Sequence, residues 1–257
     1  MSTFFSIQNL GVDIERSTIL QDINLDIREA EVTALLGHNG SGKSTLLKVL
    51  ARQLDPTKGS VSLGNHRIDT LSSRQFARTV GYLTQHPPAT DGLNVRELVA
   101  LGRYPWRGAL GRYREEDNQI IDQALADTGM SDFSRRSVDT LSGGERQRAW
   151  IAMLLAQEPR CLLLDEPISA LDVVHQVETL KLIHRLAEER GLTVIMVLHD
   201  VDLAARFCDR LIALKEGQLT ADGAPENIMT EATLGSIYSV PMGVFERAPG
   251  RWVSYVH

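Results

Sequence analysis

The stretch "GHNGSGKST" supplies Gly37, His38, Asn39, Gly40, Ser41, Gly42, Lys43, Ser44 and Thr45. The spacing Gly37-x-x-x-x-Gly42-Lys43-Ser44 is a P-loop pattern. Its glycines let backbone N–H groups wrap closely round an anion. A helix starting at the loop adds positive potential at its N-terminus. In such a loop the lysine reaches the β- and γ-phosphates of a nucleotide and the serine hydroxyl holds Mg²⁺. An apolar strand, Val32 to Leu36, precedes it, and the pattern predicts a helix from Lys43 to Leu54. A glycine-rich turn without a ligand is the competing reading, and both spacing and context disfavour it.

Three more stretches offer partners. "CLLLDEP" is an apolar strand ending in Asp165 and Glu166. Asp165 is placed to bind Mg²⁺ through water, and Glu166 to polarise an attacking water. An acidic strand exit is the bland alternative, and it recedes beside a P-loop, because Mg²⁺–nucleotide needs a carboxylate partner. "TVIMVLHD" sets His199 just past another strand end. A lone histidine is more often structural, but this one ends a candidate core strand near the γ-phosphate. Gln85 follows "GYLT" and reads equally well as a surface residue or as a ligand to Mg²⁺ or water.

"LSGGERQRAW" is a second phosphate cradle in the same chain: Leu141, Ser142, Gly143, Gly144 and Glu145. The hydroxyl can hydrogen-bond phosphate, the glycines permit close approach, and the helix directs its dipole there. Ser142 as a simple helix cap is the alternative.

These groups need elements to hold them. Short alternating segments fill the chain to about residue 86, helical patterns run from about 87 to 157, and strand–helix alternation then returns. "ALDVVHQVETLKLIHRLAEER" predicts a long helix that Gly191 would cap. Alternating strands and helices imply an α/β fold with a mainly parallel sheet covered on both faces, and the middle stretch reads as a helical insert. The chain has 257 residues, 43% hydrophobic and 23% charged, with a net charge of −6. That is ordinary for a globular protein, and the acidic balance argues against a general nucleic-acid binder. Cys161 and Cys208 lie far apart and suit a reducing cytosol. "MSTFFSIQNL" lacks a basic region and a long apolar run, so no signal peptide is expected. No apolar run nears the roughly 20 residues of a membrane span.

In this order, the P-loop, Gln85, "LSGGE", "LLLDEP", "SALD" (Ser169, Ala170, Leu171, Asp172) and His199 resemble the ATP-binding cassette family over nearly the whole chain. The resemblance implies a P-loop NTPase (RecA-like) core with an N-terminal antiparallel β subdomain and an inserted α-helical subdomain. Residues 1–257 would form one ATPase domain, with 1–86 and 158–257 as nucleotide-binding core. It also implies ATP and Mg²⁺ as cofactors. Ser44, Gln85 and Asp165 would hold the metal, Glu166, His199 and Gln85 would serve catalysis, and residues 169–172 would form the D-loop. Cassettes of this family pair head to tail. The signature of each closes on the γ-phosphate held by the other's P-loop, so the second cradle would serve a neighbour.

"VRELVALGRYPWRGALGR", "HRLAEERGLTVIMVLHD" and "IYSVPMG" look closest to the ATPase subunits of bacterial ferric hydroxamate (ferrichrome-type) siderophore importers. That group also includes haem, vitamin B12 and catecholate-siderophore importers. Its partners would be a second copy, integral membrane permease subunits and, indirectly, a periplasmic or lipoprotein substrate-binding protein. The protein would sit peripherally on the cytoplasmic face of the bacterial inner membrane and bind no nucleic acid. Soluble ribosome-acting cassettes usually carry two cassettes in one chain, and repair cassettes carry a long coiled coil. Neither pattern occurs here.

Two departures stand out. Ile14, with Arg16 nearby, occupies the adenine side where the family often has a tyrosine. "DEPIS" puts Ile168 where a threonine is usual. In the insert, "GRYPWRGALGRYR" mixes Tyr104, Trp106 and Tyr113 with Arg103, Arg107, Arg112 and Arg114. Such mixtures are typical of interface hot spots or, alternatively, of a basic loop over a small satellite core. The resemblance places a groove for a membrane subunit's cytoplasmic helix at this insert and the loop after Gln85.

Overall fold

Period-two apolar patterns with turn residues between them dictate the first elements. The computed structural model describes residues 2–108 and 111–257. It opens with β1 (Thr3–Ile14), β2 (Ser17–Arg28), β3 (Val32–Leu36), α1 (Lys43–Leu50), β4 (Lys58–Leu63), β5 (His66–Arg67), α2 (Ser73–Ala77) and β6 (Val80–Leu83). Helices α3 (Val95–Leu101), α4 (Tyr104–Arg107), α5 (Glu115–Asp127) and α6 (Gly143–Ala156) follow. Alternation then resumes with β7 (Cys161–Leu164), α7 (Val173–Arg190), β8 (Thr193–Val197), α8 (Val201–Phe207), β9 (Arg210–Lys215) and β10 (Gln218–Gly223). The chain closes with α9 (Pro225–Ile228), α10 (Glu231–Tyr238), β11 (Met242–Ala248) and β12 (Arg251–Val256).

The central sheet has six strands in the order β10-β9-β3-β8-β7-β6. Its pairs are parallel except for β10 on β9. Both faces are buried, and the alternation of side chains sorts them: Ala34, Val194, Met196, Leu162 and Leu164 join one core cluster, Leu35, Ile195, Val197 and Leu163 the other. The second cluster also receives Leu46 and Leu47 of α1 and the inner face of an antiparallel sheet ordered β2-β1-β4-β5. The first receives α3, α5 and α6 through Val95, Leu98, Ile121 and Ile151.

The helix after the P-loop is shorter than the sequence pattern suggests. It stops at Leu50, because Arg52 takes a left-handed φ of 56° and the Gln53 N–H returns to the Lys48 carbonyl at 2.8 Å. That closes a Schellman turn, which satisfies the terminal carbonyls without further helix. The long helix begins at Val173 rather than Ala170, because Asp172 caps it by accepting from the His175 N–H at 3.0 Å. Gly191 ends it at a left-handed φ of 61°, as a glycine cap should. Parallel strands β3, β7 and β8 place their C-terminal ends side by side, and the chemistry-bearing residues follow those ends.

Candidate active site and signature face

The P-loop backbone is unavailable to most residues. Gly37, Gly40 and Gly42 have φ of 133°, 80° and 102°. A Cβ at Gly37 would stand 2.1 Å from the Leu214 carbonyl oxygen, so both conformation and space exclude a side chain there. Lys43 is buried and donates from Nζ to the Gly37 and His38 carbonyls at 2.8 and 2.7 Å. These bonds hold the ammonium across the mouth of the loop. Burial lowers its pKa, opposed by the charges of Glu166 and Asp165.

Asp165 follows β7 and is 4% exposed. It accepts from the Ser44 hydroxyl at 2.8 Å, which brings a helix start and a strand end together. Burial pushes its carboxyl above the ordinary value, with the Ser44 hydrogen bond opposing. The same carboxylate, with burial, pushes the Tyr82 phenol up to about 12, burial being the larger cause. A hydroxyl and a buried carboxylate in contact form an oxygen donor pair suited to a hard divalent cation.

Glu166 is the meeting point. Its Oε1 lies 2.8 Å from His199 Nε2 and its Oε2 accepts from Gln85 Nε2 at 2.7 Å. Gln85 and His199, which follow two other strands, thus converge on the carboxylate that follows β7. Glu166 also has φ of 51°, a left-handed conformation for a residue with a side chain. Strain of this kind collects at functional sites, where surrounding structure holds it.

The signature residues begin α6. The Ser142 hydroxyl accepts from the Glu145 N–H at 3.3 Å, and Glu145 Oε2 accepts from the Ser142 N–H at 2.8 Å. This is a capping box. The reciprocal bonds fix the helix N-terminus and its dipole, so serving as a cap and serving as a cradle would use the same structure. Leu141 is buried beneath it, while Ser142 and Gly143 are exposed. Ser169 donates from its hydroxyl to the Glu166 carbonyl at 3.2 Å, tying the SALD loop to the strand end.

The family model described as ABC transporter matches residues 20–169. This chain belongs to the ABC transporter family. It is 43% identical over 231 residues to the petrobactin import ATP-binding protein FpuD of Bacillus anthracis, covering 90% of this chain and 85% of that one. It is 42% identical over 235 residues to the iron(3+)-hydroxamate import ATP-binding protein FhuC of Bacillus subtilis (strain 168), covering 91% and 87%. A chain of an inward-facing ABC transporter, described as of metal-chelate type, superposes with a TM-score of 0.85 at 26% identity, covering 100% of this chain and 97% of that one. A dimeric bacterial ABC transporter cassette superposes with a TM-score of 0.75 at 30% identity, covering 86% and 98%. The cassette is an ATPase of the P-loop NTPase fold, and its nucleotide is ATP.

Ile14, which the resemblance gives to the adenine side, ends β1 and is 44% exposed, beside an exposed Arg16 in the hairpin turn. An aliphatic side chain buries area but supplies no ring stacking, which adds about 0.5–1.5 kcal/mol in aromatic pairs. The cassette is expected to separate ATP from GTP by less than about tenfold, a factor worth 1.4 kcal/mol. Competition binding measures this, and a preference of several hundredfold would place a base-reading residue elsewhere. Ile168, the other departure, is 6% exposed in the core, and its backbone carbonyl accepts from the Leu171 N–H and the Gln176 side-chain amide. An apolar residue suits that position.

The aromatic–arginine insert divides in two. Arg103 is buried, with Asp117 at 2.9 Å and Glu158 at 2.6 Å. Trp106 donates from its indole nitrogen to the Gln157 carbonyl at 2.8 Å and lies beneath the Arg78 and Arg103 guanidiniums. Arg107 also faces Asp117. These residues are structural, because the buried cations are paired and the Trp106 ring is engaged by two guanidiniums. Leu101 and Tyr104, at 50% and 62% exposed, present surface for contact, whereas the Tyr113 ring lies under the Arg107 guanidinium and its hydroxyl donates to the Ala100 carbonyl at 3.0 Å. Ala109 and Leu110 of this stretch lie outside the described residues.

The C-terminal segment reaches the site, which motif reading missed. The Tyr238 ring stands edge-on to His38 of the P-loop, with centroids 5.7 Å apart. Asp202 of α8 accepts from the Ser254 N–H of β12 at 3.0 and 3.2 Å. A cleft of about 460 Å³ between them is lined by His38, His199, Asp200 and Tyr238. The alternating pattern of residues 242–256 carries a strand signal, but nothing local says where the hairpin docks.

Proposed function

We propose that this cassette energises import of an iron(III)–siderophore complex of the hydroxamate type. It acts as one ATPase domain over residues 1–257, with a helical unit at about 87–157 set into the nucleotide-binding core. Two copies pair head to tail on integral permease subunits at the cytoplasmic face of the bacterial inner membrane. A periplasmic or lipoprotein binding protein delivers the cargo on the other side. No described helix is long and apolar enough to cross a membrane, so attachment runs through a partner.

The convergence of Gln85, Glu166 and His199 beside the P-loop carries the mechanism. Residues 37–45 hold the phosphates of ATP. Ser44 and Asp165, with Gln85, would hold Mg²⁺, which would supply positive charge to the phosphates when bound. Glu166 accepts a proton from the attacking water, and His199 positions the carboxylate and the γ-phosphate. Leu141 to Glu145 and residues 169–172 address the nucleotide of the second copy. The γ-phosphate then bridges two chains in the ATP state, and ADP lacks the bridge, so differential binding drives closure and release. The Gln85 loop and the exposed Leu101 and Tyr104 transmit that movement to the permease.

Hydroxamate cargo is favoured by the long motifs shared with that importer group, while import of another siderophore class is the second reading, favoured by the petrobactin name of a relative at 43% identity. Deleting the gene and measuring uptake of radioactive iron separates them. Uptake from a ferric hydroxamate should fall to background and return with the wild-type gene but not with Lys43→Ala. Loss of catecholate-bound iron alone would overturn the hydroxamate assignment and leave the ATPase role intact. Undiminished uptake of every chelate would overturn iron import.

A further inference from the structure

The signature glycines have neighbours inside their own chain. A Cβ on Gly144 would stand 2.5 Å from Cδ2 and 3.0 Å from Cγ of His175, a separation real Cβ atoms do not show. A Cβ on Gly143 would meet Cδ2 of Leu171 at 3.3 Å. His175 lies in the first turn of α7, and Leu171 in the SALD loop that precedes it. The signature helix therefore packs backbone-to-side-chain against the D-loop and the helix start that follows it.

His175 is held in turn. Its Nδ1 is 2.9 Å from both carboxylate oxygens of Asp172, and its backbone N–H donates to the same carboxylate at 3.0 Å. These two contacts, backbone first, keep the Asp172 carboxyl below its ordinary value, so it accepts and Nδ1 carries the hydrogen. The ring is fixed by the last residue of the D-loop while its carbon edge rests on Gly144.

We propose that His175 is a positioning residue that joins the D-loop and the signature into one rigid face presented to the second copy's nucleotide. The proposal rests on the trans role of the signature. It gives Gly144 a second reason to be glycine, since the imidazole occupies the space of a side chain. It also predicts that a change at Asp172 or His175 acts on hydrolysis at the neighbour's site, although neither residue belongs to the signature or the P-loop.

The test uses Gly144→Ala, His175→Ala and the double variant, with turnover at saturating ATP and ATP affinity of the isolated subunit measured separately. Gly144→Ala and His175→Ala should each lower turnover by roughly tenfold or more, as small misplacements of a catalytic face do. Affinity should stay within about twofold of wild type, because the P-loop is untouched. In the double variant the alanine methyl takes the space the ring has left. Its turnover should match that of His175→Ala alone rather than the product of the two losses. Wild-type turnover in His175→Ala, or losses that multiply, would overturn the link. So would a variant that only unfolds at lower temperature with normal turnover per folded molecule. Weakened ATP binding by isolated Gly144→Ala would instead sink the trans reading itself.

Discussion

Glu166→Gln should bind ATP normally, hydrolyse it roughly 10²- to 10⁴-fold more slowly, and accumulate as an ATP-bound dimer. That loss corresponds to about 3–5 kcal/mol of barrier. The amide keeps the size of the carboxylate and one acceptor, so it can still receive the Gln85 N–H now at 2.7 Å from Oε2. It cannot take a proton. It also offers an N–H where Oε1 now faces His199 Nε2 at 2.8 Å, a contact that survives only with Nε2 as the acceptor. The left-handed backbone at Glu166, φ 51°, is no worse for glutamine. Binding energy is spared and the proton transfer is removed, so the closed state should persist. Static light scattering with ATP and Mg²⁺ should report about twice the subunit mass for the isolated subunit, and two subunits per complex when the permease is present. A strictly monomeric Glu166→Gln with ATP bound, under both conditions, would refute a γ-phosphate that bridges two chains. Normal turnover would remove Glu166 from the chemistry.

Gly143→Asp should abolish hydrolysis while the isolated subunit still binds ATP with wild-type affinity. Gly143 is exposed, and a Cβ there asks only that the flexible Leu171 side chain yield by a few tenths of an ångström. A carboxylate in the first turn even favours the helix of its own chain. Its harm lies across the interface, where it would face another chain's γ-phosphate. Gly144 is a poorer place for the charge, because a side chain there strikes His175 before any neighbour arrives. Lys43→Ala makes the complementary defect by removing the buried ammonium that spans the P-loop mouth. Each variant alone should be inactive. Mixed, they form some dimers in which an intact P-loop meets an intact signature, and measurable hydrolysis should return. An inactive mixture would show that one competent interface is insufficient or that the signature acts in cis. Loss of ATP binding by monomeric Gly143→Asp would single out the second.

Some of this protein follows from local rules. The strand Val32–Leu36, the glycines of the P-loop and the helix after Gly42 are specified by period-two burial and by backbone conformations that side chains cannot enter. Asp165, Glu166 and His199 are legible because each ends an apolar strand, and parallel strands bring their C-terminal ends together. Ser142 and Glu145 announce their capping box at a spacing of one helical turn. What stayed hidden depends on which surfaces meet. The Gln85 amide reads as undecided until β6 lies beside β7, which carries it to Glu166. Arg103 and Trp106 look like contact residues until Asp117, Glu158 and Arg78 enclose them. His175 looks like a helix surface residue until α7 crosses the start of α6 and its ring fills the space over Gly144. The docking of β12 on α8 through Asp202 and Ser254 joins residues far apart in sequence. Local periodicity and steric exclusion act within a few residues, so the sequence displays them directly. Close packing and charge pairing act between surfaces, and only the assembled fold determines which side chains share a volume or a proton.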